Sequence, residues 1–568
     1  MPRETLQDLH LAADRGPQGL YWRLDGAAVD PAPENARAAP AMDPGQTLSL
    51  DTFLNAFYER YWRELTDIGA IALEVETSGA CTLRLVRQGG GREPRILQQL
   101  AVCGERTITV LDAPGDPEDA GGAVLYLEVQ ALTGGARLRA GRWITGGPPV
   151  QPVALAIVIC SFGREEMVAE TLRAMAGVAA ASGAISQLLV VHQGPSDLER
   201  HPAIMGLQAS DAFAGKLRIL RQANFGGSGG FTRGMIEAVD AGATHVLLMD
   251  DDVAVDPAVF TRLTALLGHL KAPTTIGGQM LDLRQPGRLH ASHESVDLDR
   301  LALINPLRGA DLAAAGATAL FQAMAASRYN GWWFCCIPAE LIRTLGLPLP
   351  MFIRHDDTEY GLRTTLSGAA LATVPGLFVW HEPFEAKVKP WQAYYDRRNM
   401  LITAALHGRP DAARQAMVLI RETWGGLTLH RYEYCWAIGQ AAEDYLKGPE
   451  HVFRGARERH RWIVAETARH ALMSVQDHRA GWPGRTGKAG PLRLSFALLR
   501  WMAPPAPATR TTAREARRIA FSMMRTVIRL LLDSGRLAAD YRARAPHYSS
   551  LSVWTGCLGL APDGPIPP

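Results

Sequence analysis

The sequence predicts an α/β protein whose mostly parallel central sheet is flanked by an N-terminal β-sandwich and a C-terminal helical region. Over residues 47–147, short runs alternate apolar and polar residues between glycine-rich turns, which is typical of antiparallel strands. Over residues 148–405, continuous apolar runs alternate with helical patterns, as in a parallel sheet covered on both faces. Residues 406–568 have a helical pattern with Gly and Pro breaks, and residues 1–46 indicate a Pro- and Ala-rich arm or linker.

Each element of this architecture has its own segment. In the sandwich, the alternation predicts strands over 70–77, 81–87, 106–111, 123–132 and 137–144. In the central domain, apolar runs predict strands over 153–160, 187–192, 216–221 and 245–249, and amphipathic patterns predict helices over 165–178 and 231–241. Ligands of such a sheet bind outside the carboxyl ends of its strands, so the residues at those ends are the first candidates for function.

Charge is unevenly distributed along the 568 residues. The whole chain has 59 Lys and Arg against 57 Asp and Glu, a net charge of +2. Residues 451–550 contain 19 basic and 6 acidic residues, which leaves residues 1–450 with a net charge of about −10. Apolar residues are interleaved with the arginines of this basic region. The pattern predicts either amphipathic helices on an anionic inner leaflet or a helical bundle with solvated arginine faces.

Cysteine usage and hydropathy limit the cellular setting. The seven cysteines form no CxxC pair and are odd in number, which favours a reducing compartment over a disulfide framework. The first residues lack the apolar core of a signal peptide, and no apolar run reaches the ~18 residues that cross a bilayer. We therefore expect a cytoplasmic protein, either soluble or peripheral on the inner face of the cell membrane.

Three consecutive aspartates, Asp250, Asp251 and Asp252, follow the apolar run 245–249. Side chains alternate along a strand, so Asp250 and Asp252 share one face and Asp251 points to the other. Two carboxylates at the carboxyl end of a buried strand suit Mg²⁺ or Mn²⁺, which in turn clamps a diphosphate. The alternative is an acidic turn that closes the strand, but three aspartates without a cation would repel one another.

A second acidic segment is FIRHDDTEYGLR, in which Asp356 and Asp357 crowd the start of a predicted helix. The helix dipole favours a carboxylate there, but N-capping explains one such residue rather than several. Because crowded carboxyls raise one another's pKa, one of the pair is suited to take a proton from a hydroxyl at neutral pH. We expect Asp357 or Asp356 to be a general base, with capping as the alternative.

Further polar and aromatic residues stand at the ends of predicted strands. Trp332 and Trp333 are in tandem, so that one ring packs in the core and the other offers a wall to a sugar, unless both are core residues. His381 ends an apolar run, where it is either a metal ligand or a core histidine. The loop NFGGSGGF is a candidate for phosphate or close backbone approach, although it lacks the Rossmann and Walker A spacings. Arg164 and Gln193 follow two strands in what are otherwise ordinary strand-to-helix turns.

Taken in order, these segments resemble the inverting glycosyltransferases of family 2, which have the GT-A fold, and among them the mycobacterial galactofuranosyltransferases that polymerise cell-wall galactan. The resemblance covers roughly residues 50–405 and rests on FYERYWRE, VICSFGRE, NFGGSGGFTRGM, LLMDDDV, YNGWWFCCIP, FIRHDDTEYGLR, VWHEPF and WQAYYDRRNML. It implies metal-dependent transfer of a sugar, with galactofuranose as the first expectation, from a UDP-sugar to a glycan or lipid-linked glycan acceptor in cell-envelope polysaccharide synthesis.

The resemblance also implies a role for each matching residue. The metal, Mn²⁺ or Mg²⁺, is expected on Asp250, Asp252 and His381, and the base is expected to be Asp357 with Asp356 beside it. Contacts with the nucleotide-sugar are expected from Arg164, Gln193, Asn224, Asp250 and Asp251. The sugar and acceptor pocket is expected to contain Tyr329, Trp332, Trp333, His293 and Glu294.

Two departures from the family pattern lie near the expected acceptor side. His355 stands where the family carries tryptophan, and Cys335 and Cys336 replace bulkier residues, so the acceptor or the donor sugar is expected to differ. A rhamnosyl or other hexosyl transferase of the same family is the first alternative function, and a non-catalytic carbohydrate-binding protein is the alternative from another class. The set of acidic motifs argues against nucleic acid as a partner, and homo-oligomerisation is left open.

Overall fold

Two antiparallel sheets with a shared core form the N-terminal part of the computed structural model, which describes residues 3–25, 39–89, 93–113, 123–213, 215–383, 389–409, 411–479 and 510–560. The strands are β1 (Arg3–Asp8), β2 (Arg23–Leu24), β3 (Thr47–Ser49), β4 (Ile71–Ser78), β5 (Cys81–Gly89), β6 (Arg95–Val102), β7 (Thr107–Ala113), β8 (Ala123–Ala131) and β9 (Arg137–Gly146). One sheet has the order β1-β9-β4-β7 and the other β2-β3-β8-β5-β6. Leu73, Leu83 and Trp143 lie in their common core, so the predicted sandwich is confirmed.

Two features of the sandwich differ from the sequence-based expectation. Strand β6 was not predicted because it lies at the edge of its sheet, where both of its faces are partly exposed and no apolar alternation is needed. Within the predicted N-terminal arm, β1 pairs with β9 so that Arg3 faces Gly146, and β2 pairs with β3. These strands therefore belong to the two sheets, while the domain boundaries at residues 46, 147 and 405 stay predictions.

The central domain is built on a mostly parallel sheet with the order β12-β11-β10-β13-β19-β15-β20-β14, and a short strand, β16, pairs with β15. Its strands, with the separate hairpin β17–β18, are β10 (Leu155–Ser161), β11 (Ile185–His192), β12 (Leu217–Arg221), β13 (His245–Asp250), β14 (Val253–Ala254), β15 (Thr274–Asp282), β16 (Leu289–Ala291), β17 (Ser295–Asp297), β18 (Ala302–Ile304), β19 (Cys335–Pro338) and β20 (Ala370–His381). The pairs β12–β11, β11–β10, β10–β13 and β15–β20 are parallel, whereas β19 runs antiparallel between β13 and β15.

Helices cover this sheet, which explains the continuous apolar runs of its inner strands. The helices up to this point in the chain are α1 (Glu59–Leu65), α2 (Glu165–Ala181), α3 (Pro202–Gln208), α4 (Gly226–Asp240), α5 (Ala258–His269), α6 (Ala339–Leu345) and α7 (Asp356–Leu366), with turns of 3-10 helix at Gln18–Leu20, Leu198–Arg200 and Ala317–Phe321. Every residue of β10 from Leu155 to Ile159 is fully buried. A strand covered on both faces needs apolar side chains at every position rather than at every second one.

The C-terminal part is a bundle of helices packed against the central domain. They are α8 (Gln392–His407), α9 (Ala412–Thr428), α10 (Tyr432–Tyr445), α11 (Pro449–Phe453), α12 (Ala456–Arg479), α13 (Arg510–Tyr548) and α14 (Leu551–Leu558). Leu530 and Tyr541 of α13 are fully buried in an apolar cluster that also contains Ile402 of α8. Among the helices of the described ranges, none combines the length and the hydrophobicity that a bilayer-spanning segment needs.

A buried ion pair joins α7 to α8. Glu359 accepts hydrogen bonds from Arg363 on the same helix, and its Oε1 lies 2.9 Å from Nε2 of His407 on α8. Burial by itself would raise the pKa of Glu359, but Arg363 and His407 outweigh that effect and hold the pKa at about 2. The glutamate of the HDDTEYGLR segment thus stabilises the fold rather than adding a carboxylate to the strand ends.

We expect Glu359→Gln to lower the free energy of unfolding by about 3 kcal/mol at neutral pH, because it leaves a buried guanidinium without its partner. The ordinary pKa of glutamate is 4.5 and the folded-state pKa is about 2, so the stabilisation is complete above pH 4.5 and is lost as the pH falls toward 2. Urea unfolding of both proteins at neutral and acidic pH measures the difference. Glu340→Gln, at an exposed site on α6, is the control; a difference that grows on acidification would contradict this assignment.

Candidate functional site

The carboxyl ends of β10, β11 and β13 meet at one edge of the central sheet. In the parallel register, Cys160 of β10 lies opposite Val191 of β11 on one side and Asp250 of β13 on the other. The segments that leave these strands carry Arg164 and Gln193. The parallel sheet therefore gathers residues from distant parts of the sequence at the position where such folds bind ligands.

Asp250, Asp252 and His381 form a cluster with the chemistry of a metal site. Each offers one ligand atom, and these atoms all lie within 4.8 Å of one another. His381 Nε2 is 2.9 Å from Asp252 Oδ1 and 3.7 Å from Asp250 Oδ2. The antiparallel pairing of β14 with β20, in which Val253 faces His381, brings the histidine to the aspartates. Carboxylate oxygens with an imidazole nitrogen at this spacing fit one Mn²⁺ or Mg²⁺ ion.

Arg164 offsets part of the negative charge of this cluster. Its guanidinium forms ion pairs with Asp252 and, at 3.4 Å, with Asp251. Strand β13 ends at Asp250, so Asp251 lies in the turn that follows, where the Phe162 backbone amide lies 3.4 Å from its Oδ2. Burial raises the pKa of Asp251 to about 7 despite Arg164, with the charges of Asp252 and Asp250 adding to the shift. The edge therefore carries more carboxyl groups than Arg164 neutralises, which favours the binding of a cation.

Asp356 and Asp357 begin α7 but have different surroundings. Asp356 is buried and accepts a 2.8 Å hydrogen bond from the hydroxyl of Ser228 at the start of α4. Asp357 is half-buried and accepts hydrogen bonds from the amide and the hydroxyl of Thr358 at 2.6 and 3.2 Å. Burial raises the pKa of both carboxyls, and a neighbouring carboxylate adds to each shift, Asp357 for Asp356 and Asp250 for Asp357. Asp357 is thus the more accessible of the two carboxyls.

Glu294 lies close enough to Asp357 for the two carboxyls to interact electrostatically. The hydroxyl of Tyr329 donates to its Oε1 at 3.1 Å, while its Oε2 is buried and makes no hydrogen bond within the described residues. Burial raises the pKa of Glu294 to about 8, and the charge of Asp357 adds to the rise. The adjacent His293 turns away, with Nε2 3.0 Å from the hydroxyl of Tyr61. Of these two residues, Glu294 has a free oxygen for a ligand hydroxyl, whereas His293 links the central domain to α1.

Both tandem tryptophans are buried and pack against other side chains or the backbone of the core. Trp332 and Trp333 are each only 5% exposed. Trp332 packs edge-on against Phe231 and Tyr360, at centroid distances of 5.3 and 6.2 Å, and Trp333 Nε1 lies 3.3 Å from the carbonyl of Gly278. A flat wall for a sugar would leave one ring face open. The burial favours the packing interpretation, and contact of either ring with a sugar stays a prediction.

Two residues expected to contact the nucleotide instead shape the glycine-rich loop. Gln193 accepts a hydrogen bond from the Phe225 amide and donates to the Gly226 carbonyl, both at 2.9 Å. Asn224 Oδ1 accepts from the Gly226 amide at 2.9 Å. Because these polar groups are engaged within the loop, their contact with a nucleotide stays a prediction, and Arg164 is the more accessible of the three.

Sequence reasoning missed three residues at or beside this site. Phe162 is half-exposed at the carboxyl end of β10, Ser228 binds Asp356, and Tyr61 contacts His293. An aromatic residue in a strand-to-helix turn was the only signal for Phe162. Ser228 lay inside the recognised glycine-rich loop, but its partner is 128 residues away and no local pattern reveals it.

Two family models match most of the chain. Residues 152–400 match the model of the glycosyltransferase like family 2, and residues 18–146 match the model of the galactofuranosyltransferase 2 N-terminal domain. Residues 152–400 are a family 2 glycosyltransferase domain. The chain combines this domain with an N-terminal domain that matches the galactofuranosyltransferase 2 N-terminal model.

Curated proteins that are similar to this chain include two galactofuranosyltransferases GlfT2. The protein of Mycolicibacterium smegmatis is 31% identical over 444 residues, which are 73% of this chain and 66% of the relative. The protein of Mycobacterium tuberculosis is 31% identical over 436 residues, which are 72% of this chain and 66% of the relative. The chain therefore spans just under two thirds of these relatives. A solved mannosyltransferase, PcManGT from Pyrobaculum calidifontis in complex with GDP-Man and Mn²⁺, aligns over 68% of this chain and 89% of its own, with 10% identity and a TM-score of 0.31, too distant to support an argument.

We expect Gly226→Ala to disrupt the site, whereas Gly227→Ala should be tolerated. Gly226 has a φ of +68°, and a Cβ there would collide with the carbonyl of Phe352 in the loop before Asp357. A Cβ on Gly227 would meet Asp356 Oδ2 at 3.5 Å and Phe231 Cε2 at 4.0 Å, both ordinary contact distances. Strain and clash together should cost Gly226→Ala about 2 kcal/mol or more of stability. Denaturant unfolding of the matched pair measures this; equal stabilities would show that the close approach is not required.

Proposed function

We propose that this chain transfers a sugar, with galactofuranose as the first choice, from a UDP-sugar to a glycan or lipid-linked glycan acceptor, with inversion and with help from Mn²⁺ or Mg²⁺. The observation that carries the proposal is the proximity of two sets of carboxyls. Asp250 and Asp252 lie with His381 in a cluster suited to a cation, and Asp357 is close enough to Asp250 for that charge to raise its pKa. A diphosphate on the cluster would thus lie beside an accessible base.

The residues of the chain divide the chemistry between them. Arg164, beside the cluster, is suited to bind the diphosphate of the donor. Asp357 takes the proton of the acceptor hydroxyl as that oxygen attacks the anomeric carbon, and the bond to the nucleotide diphosphate breaks on the opposite side. Glu294, protonated at neutral pH, can donate a hydrogen bond to an oxygen of the acceptor while keeping its proton. A divalent cation held by Asp250, Asp252 and His381 would offset the charge that develops on the leaving diphosphate.

The choice of galactofuranose as the donor sugar is supported by similarity. Both GlfT2 relatives are galactofuranosyltransferases, and the N-terminal domain matches the galactofuranosyltransferase 2 model. Incubation with UDP-galactofuranose, UDP-galactopyranose or dTDP-rhamnose and a lipid-linked glycan acceptor, followed by mass spectrometry, separates the proposal from a rhamnosyl or other hexosyl transferase. Sugar binding without release of nucleotide from any donor would favour a non-catalytic carbohydrate-binding protein.

We expect Asp357→Asn and Asp252→Asn to fail in different ways. Asp357→Asn removes the base, so transfer should fall about 10³-fold while Mn²⁺-dependent binding of UDP persists. Asp252→Asn removes a ligand, so UDP binding should lose its dependence on Mn²⁺ and EDTA should have little further effect. Calorimetric titration with UDP and a radiolabel transfer assay measure the two properties. Asp282→Asn, in the strand register beside His381 but outside the cluster, is the control; undiminished transfer by Asp357→Asn would exclude it as the base.

The rate of transfer should fall on the acid side with a midpoint near the raised pKa of Asp357. Burial raises that pKa to about 6, whereas an ordinary aspartate titrates near 3.8. Only the ionised carboxylate accepts a proton, so the rate should decline as the pH drops through about 6. A pH profile of kcat at saturating donor and acceptor tests this. A rate that stays level down to about pH 4 would exclude a catalytic base whose pKa is raised to about 6.

We propose in addition that α13 rests on an anionic membrane surface. Phe521, Ile528 and Leu532 follow one another by seven and four residues and therefore share one face of the helix. They are 77%, 51% and 79% exposed, an unusual apolar exposure for a solvated face. Phe521 and Leu532 each have one arginine three residues earlier in the helix and another four residues later. These are Arg518 and Arg525 for Phe521, and Arg529 and Arg536 for Leu532.

We expect the double variant Phe521→Ser and Leu532→Ser to lose binding to mixed phosphatidylcholine and phosphatidylserine vesicles. Binding of the unchanged protein should also weaken with salt, because the arginines contribute through charge. Cosedimentation measures both effects. Ile108→Ser is the matched control, since Ile108 is a 63% exposed apolar residue on β7 of the sandwich. Equal sedimentation of the double variant and the unchanged protein would leave α13 as a solvated helix of the bundle.

A further inference from the structure

The loop that leads into α7 has an unfavourable backbone. Phe352, Arg354 and His355 have φ values of +73°, +65° and +60°, a region that costs non-glycine residues of order 1 kcal/mol each. Such strain persists only where surrounding contacts impose it. His355 immediately precedes Asp356 and Asp357, so the path of this loop sets where α7 begins and where its carboxyls point.

A single amide group holds three carbonyls of this loop. Asn399 Nδ2 lies 3.2 Å from the oxygen of Met351, 2.7 Å from that of Ile353 and 2.8 Å from that of Arg354. Asn399 is completely buried on α8, where water cannot substitute for it. Because the three oxygens converge on one side chain, loss of that side chain would leave the strained turns without their common donor.

Arg398 determines which way Asn399 faces. Its Nε donates to Asn399 Oδ1 at 2.8 Å, so the Nδ2 end is turned to the loop, and its Nη2 donates to the Met351 carbonyl at 2.6 Å. Arg398 is 2% exposed, and its guanidinium lies over the rings of Tyr394 and Tyr395 at 5.1 and 4.9 Å. A buried, stacked guanidinium has little freedom, so the amide that it holds is also rigid.

We propose that Asn399, oriented by Arg398, is a positioning residue for Asp357. It holds loop 351–355 in its strained path and thereby sets where the carboxylate of Asp357 meets the acceptor hydroxyl. The inference rests on the proposed function, and it assigns a role to the RRN segment, which the metal and nucleotide contacts leave unused. Donor and cation binding depend on other strands, so they should not depend on Asn399.

Two variants of the full-length chain distinguish a donor role from mere filling of space. Asn399→Ala removes the donor, and because a shift of about 1 Å in a catalytic group costs about 100-fold, kcat should fall by about that factor with the donor KM and Mn²⁺-dependent UDP affinity unchanged. Asn399→Asp keeps the shape but turns an oxygen toward the three carbonyls, so it should lose at least as much. If Asn399 only fills space, Asn399→Asp would keep more activity than Asn399→Ala, and the inference would be wrong.

Leu419→Ala is the control for stability, because it truncates a completely buried side chain of α9 in the same bundle. Compared at a temperature where all variants are folded, it should keep a kcat near that of the unchanged protein. An equal loss in Leu419→Ala and Asn399→Ala would overturn the inference.

Hydrogen exchange followed by mass spectrometry tests the same inference without a transfer assay. The peptide covering 351–359 should exchange faster in Asn399→Ala, while α4 and β13 stay protected. If that peptide exchanges at the same rate in Asn399→Ala as in the protein without the substitution, the inference is wrong. This outcome does not depend on whether the protein transfers sugar from any of the donors tested. Inactivity of the unchanged protein with faster exchange in the variant would instead reject the proposed function alone.

Discussion

Buried negative charge at the carboxyl edge of the central sheet is the constraint on which the rest of the structure depends. The aspartates that end β13 and those that begin α7 share one pocket, and burial raises the pKa of Asp251, Asp356 and Asp357. Like charges in a poorly solvated site repel strongly unless a cation or a proton compensates them. Arg164 supplies part of the compensation, and the imidazole of His381 lies with Asp250 and Asp252 in a cluster that has the chemistry of a metal site.

Holding these carboxyls together requires a rigid frame, and the fold supplies it from several directions. The pairing of β14 with β20 carries His381 to the aspartates. The glycines at the start of α4 allow the loop before α7 to approach closely, and Ser228 binds Asp356. From the other side, Asn399 gathers the carbonyls of the same loop. Ordinary packing contacts and hydrogen bonds thus oppose the electrostatic repulsion between the carboxylates of the site.

The two flanking regions have unequal parts in this frame. The sandwich reaches the pocket through Tyr61, which contacts His293 next to Glu294. The C-terminal bundle reaches it through α8, whose buried residues continue into the apolar cluster around α13. The opposite, exposed face of α13 carries the apolar stripe and the arginines. Part of the basic C-terminal charge seen in the sequence therefore lies on a helix whose inner face packs against α8.

Local pattern was enough to predict the architecture and the most acidic parts of the site. Continuous apolar runs indicated buried parallel strands because covering both faces of a sheet leaves no polar position. The predicted alternation does not extend to Asp251 and Asp252, because β13 ends at Asp250 and both residues lie in the following turn, where both pair with Arg164. The same reasoning failed for β6, since an edge strand exposes both faces and needs no alternation.

Tertiary structure alone decided which distant residues meet. His381 lies beside Asp252, although 129 residues separate them in the sequence, and both tryptophans are buried in the core. The side-chain amide of Gln193 hydrogen-bonds to the loop after β12. No local period encodes these outcomes, because each depends on which strands pair and which side chains fill the space between layers. The sequence by itself determined that carboxylates would gather at the strand ends; only the folded chain decided which of them stay accessible, since burial and hydrogen-bond partners are properties of the packed structure.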